Sequence, residues 1–188
     1  MYKSSGFTLL ELMLVVVIVA ILITMAVPSF QWMIQKVTIS SNVNTFLSDM
    51  RYARSEGIRR GGGVVLCRSD DPEAATPVCS TSSSKINWVS GWIIFHDLNN
   101  DGDTSESGKA VAPLLRVQTP ITAINSIAGT STEKFSFTAT GRLRSLKGVT
   151  KMRFGGDSVF AKKVQRVVCV SLSGHARIAG DGNTTSCG

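Results

Sequence analysis

At 188 residues the chain has room for one folded domain beyond a short extra segment, and its 43% hydrophobic content excludes a disordered tail. The formal net charge of +7 is unevenly placed: residues 1–140 hold eleven Lys/Arg against eleven Asp/Glu, and residues 141–188 hold nine against two. All four cysteines, Cys67, Cys79, Cys169 and Cys187, lie beyond the opening apolar run. With no Cys-x-x-Cys and no paired histidines, that even set points to disulfides in an oxidising compartment rather than to zinc.

The first predicted element is apolar from Phe7 to Val27, 21 residues. As a helix this spans about 31 Å at 1.5 Å per residue, the thickness of a hydrocarbon core of roughly 30 Å. Lys3 precedes the run and no acid does, so the positive-inside rule keeps the N-terminus cytoplasmic and sends the rest outward. A secretory signal would end in small residues at its cut, whereas here the run continues through "TMAVPSF" into "QWMIQKVTISSNV". The cleavage-like feature, Gly6-Phe7, stands before the run instead. Glu11 is the one acid inside it; a carboxylate at membrane depth costs about 2.5–3.5 kcal/mol on insertion scales and marks a partner.

"GFTLLELMLVVVIVAIL" resembles the prepilins of type IV pili and type II secretion systems: a glycine, a phenylalanine, and a glutamate four residues later in an apolar helix. The resemblance implies that a prepilin peptidase cuts after Gly6 and N-methylates Phe7. It also implies that Glu11 serves assembly with other pilin subunits through the N-terminal helix, paired with its own or a neighbour's Phe7 ammonium.

Helical spacing continues past Pro28, where a kink is expected because proline removes one helical hydrogen bond. Val43, Phe46, Leu47, Met50 and Ala53 recur at intervals of three and four, with Asn44, Ser48, Asp49 and Arg51 filling the polar remainder. One helix to about Arg60 is predicted, ended by Gly61-Gly62-Gly63. Six β-rich runs follow: "VVLCR", "WVSGWIIFHD", "AVAPLLRVQ", "EKFSFTATGRLRS", "TKMRF" and "VQRVVCVSL". Two polar stretches, 69–87 and 99–108, read as exposed loops. The fold class expected is α+β, a long N-terminal helix packed on an antiparallel β head. Its expected parts are a leader 1–6, a transmembrane part 7–28, an amphipathic part 29–61 and a globular head 62–188. In order, "RYARSEGIRRGGGVVLC", "GWIIFHDLNNDG", "LLRVQ", "FTATGRLRS" and "VVCVSLSGHARI" resemble the FimT/FimU minor pilins and the GspH-like pseudopilins. The resemblance implies a minor subunit, lodged in the bacterial inner membrane with a periplasmic head before it enters a pilus or pseudopilus.

Pairing Cys67 with Cys79 and Cys169 with Cys187 is one of three possible connectivities, and is the one expected. "DLNNDGD", Asp97 to Asp103, matches the first half of a calcium loop, yet Gly108 stands where the closing glutamate belongs and Glu106 falls two short. An ordinary turn cluster is the simpler reading, and no metal or cofactor is assigned. His96 and His175 have no evident nucleophile beside them, and no catalytic residue or enzyme activity is expected.

The basic last quarter suggests a polyanion, and duplex DNA during natural transformation is the partner considered. Some FimT-like pilins bind DNA through a C-terminal Gly-Arg-x-Arg motif. Here that motif stands at Gly141–Arg144 ("GRLR"), while the C-terminal place holds "GHAR", with His175 for the first arginine. The candidate DNA residues are Arg142, Arg144, Lys162, Lys163, Arg166, His175 and Arg177, which must share a face to act together; Arg51, on the helix, is read as lying outside them. The alternatives are a dedicated DNA-uptake receptor pilin, and a secretion pseudopilin whose basic face meets a neighbouring subunit and has no DNA role.

Overall fold

The computed structural model describes residues 6–80, 87–104, 112–129, 134–144, 148–156 and 159–187. Glu106, Gly108, Lys147 and Asp157 lie outside the described residues. Helix α1 spans Leu9–Arg60. The chain divides into two compact units, one ending at Val37 and the other running from Thr38 to Gly188.

In the first unit Thr8 caps α1, its hydroxyl accepting from the Glu11 amide at 3.2 Å. Thr8-x-x-Glu11 is a capping-box spacing, and it places a carboxylate in the first turn, where the helix dipole favours negative charge. From Leu9 to Thr24 every residue is exposed, and this stretch is long and apolar enough to cross a membrane.

The second unit is built on α1 from Thr38 onward. Ile39, Val43, Phe46, Leu47, Met50 and Ala53 are buried, the stripe that the three-and-four spacing describes. Asp49, read as part of the polar face, is buried instead: it accepts from Trp92 Nε1 at 2.8 Å and pairs with Arg116 at 2.6 Å. Ile58, one turn beyond the stripe, is exposed. The helix stops where Gly61 takes a left-handed φ of 80°, a conformation that costs glycine nothing.

Among the described residues eight strands follow: β1 Gly62–Arg68, β2 Trp92–His96, β3 Leu114–Gln118, β4 Ile127–Gly129, β5 Lys134–Thr138, β6 Thr150–Phe154, β7 Arg166–Val170 and β8 Ala176–Asp181. They form two four-stranded sheets with the orders β3-β2-β1-β5 and β4-β6-β7-β8, antiparallel in every pairing. The architecture is thus α+β, a long helix with two antiparallel sheets. Trp88–Ser90, at the start of one expected strand, is a 3-10 turn capped by Asn87. Strands β4 and β8 have no counterpart in the sequence reading.

Phe46 sits at the centre of the core. Its ring meets Trp92 and Phe135 of the first sheet at 5.6 and 6.3 Å, and Phe154 of the second at 5.6 Å, so one helical side chain ties both sheets together. Strand β1 is buried at all seven positions. One of its faces meets α1, while Val65 and Cys67 on the other join Ile93, Phe95 and Ala112 in a second small cluster. Burial on both faces explains an apolar run without alternation.

Candidate functional site

Two places bear on function, and each belongs to one unit. In the first, Phe7 is 80% exposed and stands directly before the capped turn that holds Glu11. Phe7 and Glu11 are four residues apart, with Phe7 just outside the helix that Thr8 caps.

In the second unit both disulfides are formed, Cys67–Cys79 and Cys169–Cys187, with Cα separations of 5.6 and 5.8 Å. The first closes the polar loop behind β1, beside the buried Arg68, which donates to Asp70 and to Ser80. The second ties the tail across β7. Lys151 on β6 donates to Thr185 O and Arg177 on β8 to Cys187 O, both at 3.0 Å. Lys151, Cys169 and Arg177 stand in one cross-strand register, so two cations flank the bridge and hold the tail.

The Asp97–Thr104 loop turns several of its side-chain oxygens onto its own backbone, while Asp97 Oδ1 is buried without a partner among the described residues. Asp97 Oδ2 accepts from the Gly102 amide at 2.7 Å, Asn99 Oδ1 from Asp101, and Asp101 Oδ1 from Asp103. The Lys134 ammonium lies 2.7 Å from Gly102 O, a cation next to the place where calcium would be sought. These are consecutive Asx turns.

The basic candidates fall into two groups instead of one. Lys162, Lys163 and Arg166 stand at the entry to β7, and Arg166 Nη1 donates to the carbonyls of Lys163, Val164 and Gln165, capping that turn. Arg142, Arg144 and His175 stand at the far end of β7, and Arg177 is one residue inside β8. The length of β7 separates the groups, about 13 Å at 3.3 Å per residue. Residues that would have to act together thus stand in two clusters, because an antiparallel hairpin sends charges that are close in sequence to opposite ends.

At the far end the two glycine-arginine motifs meet. Leu143 N donates to Leu172 O at 3.0 Å. Gly174, at φ 77°, lies so close to Gly141 O that a Cβ would stand 2.2 Å from it, so no other residue allows this approach. Sequence reasoning missed Arg54, whose Nε donates to Gly141 O at 3.0 Å and whose Nη1 lies 3.4 Å from His175 Nδ1. Arg51, set aside as distant, lines the same groove as Arg54 and His175. Their spacing of three on one helix face was readable; the pairing of residue 54 with residue 175 was not. Arg144 reaches the Asp97 loop, donating to Asn100 Oδ1 at 2.9 Å.

The family model described as type II transport protein GspH matches residues 42–174. This chain belongs to the GspH family. The prokaryotic N-terminal methylation motif matches residues 1–27. Among solved structures, two crystal forms of the type IV minor pilin FimU of Pseudomonas aeruginosa (strain PAO1), in space groups P65 and P21, are similar at a TM-score of 0.53 each. They are 18% and 17% identical, cover 79% and 80% of this chain, and are themselves covered to 99% and 95%; the likeness is one of fold. No protein with a curated description matches. The family and fold are those of pilin structural proteins, and the apolar start of α1 fits membrane anchoring.

Proposed function

We propose that this GspH-family chain is a minor pilin or pseudopilin, a structural subunit for the assembly or tip of a type IV pilus or a type II secretion pseudopilus. Prepilin peptidase cuts after Gly6 and N-methylates Phe7. Residues 7–28 then hold the chain in the inner membrane as a single pass, with 29–61 as the amphipathic half of the helix and 62–188 as the periplasmic head. One observation carries this reading: a methylation motif opens directly into an apolar stretch of helix, exposed from Leu9 to Thr24, whose one acid, Glu11, lies four residues from Phe7. Cutting there would create an ammonium at the depth of that carboxylate, and each charge would lower the cost of the other in lipid.

The test is intact-mass analysis of membrane-extracted protein from cells with active peptidase. A chain starting at a methylated Phe7 supports the reading, and residues 1–6 retained would defeat it. Gly6→Leu should stay uncut. Glu11→Val should be cut normally yet be lost from sheared fibres; normal incorporation would refute the role given to Glu11.

A second reading adds duplex DNA as a partner of the head during transformation, through Arg142, Arg144, His175 and Arg177. It is favoured by the contact between the "GRLR" loop and the "GHAR" turn, which gathers these residues at one end of the second sheet. Phosphate contacts carry charge and not base information, so binding should show little sequence preference. Engaging about four phosphates predicts a log affinity–log salt slope near −3.6, at roughly 0.9 per phosphate. Gel shifts with the full chain in neutral detergent test it: absence of binding at low salt leaves the structural role alone.

A further inference from the structure

A groove of about 150 Å³ opens between α1 and the β7–β8 turn, lined by Arg51, Arg54, Ser55 and Ile58 of the helix and by Gly174 and His175 of the turn. Steps of three and four set the helical members on one face. Among the described residues no carboxylate lines it. Two features hold its walls. The Arg54 guanidinium is anchored to Gly141 O, and Gly174 lets the turn close on that carbonyl. The exposed Arg51 side chain makes no hydrogen bond or ion pair with a described residue. A water takes roughly 30 Å³ of liquid volume, so the space admits a tetrahedral oxyanion together with some of its waters.

We propose that this groove binds a phosphate-class oxyanion between Arg51 and Arg54, with the His175 ring as a third donor. Guanidinium forks match the oxygens of phosphate and hold them in two directions at once. With Arg54 Nη1 donating toward His175 Nδ1, that ring nitrogen carries the lone pair and the proton sits on Nε2, free to donate outward. The charged residues that line the groove beside the ring are Arg51 and Arg54 of α1, both cationic, so an entering anion meets charge of the opposite sign from each. The assignment of the anion to a nucleic-acid backbone rests on the second reading above, while the groove itself does not.

The experiment follows the imidazole resonances of His175 and His96 by NMR in the full chain, in neutral detergent at constant pH, as inorganic pyrophosphate is added. A parallel arm uses a short DNA duplex. Pyrophosphate should shift the His175 ring resonances and leave those of His96 unmoved. Arg51→Gln, a change at an exposed position, should weaken pyrophosphate binding about tenfold, the worth of one charge-assisted hydrogen bond. His175 resonances indifferent to pyrophosphate, or equal affinity in Arg51→Gln, overturn the groove. Duplex binding unchanged by Arg51→Gln, with pyrophosphate binding weakened, keeps the groove and overturns its assignment to a nucleic-acid backbone. Pyrophosphate bound without duplex keeps the groove and ends the second reading.

Discussion

Between Leu9 and Ile23 each apolar side chain of α1 faces outward, whereas from Ile39 to Ala53 the apolar side chains of the same helix are buried. Both stretches have helical backbone, and they differ in how hydrophobicity is arranged around the axis. The first is apolar all round, which requires a surrounding that is itself apolar. The second confines its apolar residues to a stripe and closes a core of its own with two sheets. The first stretch must find its partner outside the chain, and the second finds it inside.

The comparison predicts that damage to the two regions should be separable. Phe46→Ala removes the ring shared by Trp92, Phe135 and Phe154 and should destabilise the head by about 3–5 kcal/mol. Chemical denaturation followed by tryptophan fluorescence would report this, since Trp88 and Trp92 pack on that ring. Cutting after Gly6 should proceed as in the parent chain. A loss of cutting in parallel with head stability would break the division.

Smaller effects are expected from the bridges. The disulfides close loops with sequence separations of 12 and 18, for which the chain-entropy model gives about 3 kcal/mol each. Cys169→Ser should further release the tail held by Lys151 and Arg177, so amide exchange should rise at residues 184–187 and stay protected across β1 and β2. Cys67→Ser should do the reverse. Exchange that rises equally in both sheets with either change would mean that the two staples do not act locally.

These elements also mark how far the sequence could be read. The stripe Val43–Phe46–Leu47–Met50–Ala53 and the β-branched runs of β1, β6 and β7 state their structure in their spacing, because burial selects residue types locally. Strand β4 is three residues long, and β8 reads "ARIAGD"; neither carries a β-rich pattern, and both form because neighbouring strands supply their hydrogen bonds. Asp49 looked like surface, since nothing in its neighbours announces Trp92 and Arg116, 43 and 67 residues away. The basic quarter counted correctly as charge, while its division between the two ends of β7 came only with the fold. Arg54 reached its partners only through the fold.

Asp49 supplies the third test. Asp49→Ala leaves the Trp92 N–H without its acceptor and the Arg116 guanidinium without its ion pair. A buried donor left unmade costs about 1–3 kcal/mol. The same denaturation assay should show that loss, and the double change Asp49→Leu with Trp92→Phe should recover part of it, since removing both partners spares the orphaned donor. No recovery would mean that packing, and not the hydrogen bond, holds this part of the helix.

The smallest effect concerns the end of α1, where the stripe gives way to charge. Glu56 accepts from Arg59 Nε at 3.0 Å and Arg60 Nε at 2.7 Å, and these hydrogen bonds hold its carboxyl down to a pKa of about 2 from 4.5. A carboxyl whose folded pKa is depressed stabilises the fold above its unfolded pKa, and the contribution fades as pH falls toward the folded one. The parent chain should therefore have its full advantage over Glu56→Gln above pH 4.5, and that advantage should shrink steadily as pH falls from 4.5 toward 2. Paired melting curves across this window read it as a difference in Tm, which salt should also diminish because the arginine partners are partly exposed. A Tm difference that stays constant down to the acid limit would mean that Glu56 acts through helix packing and not through its charge.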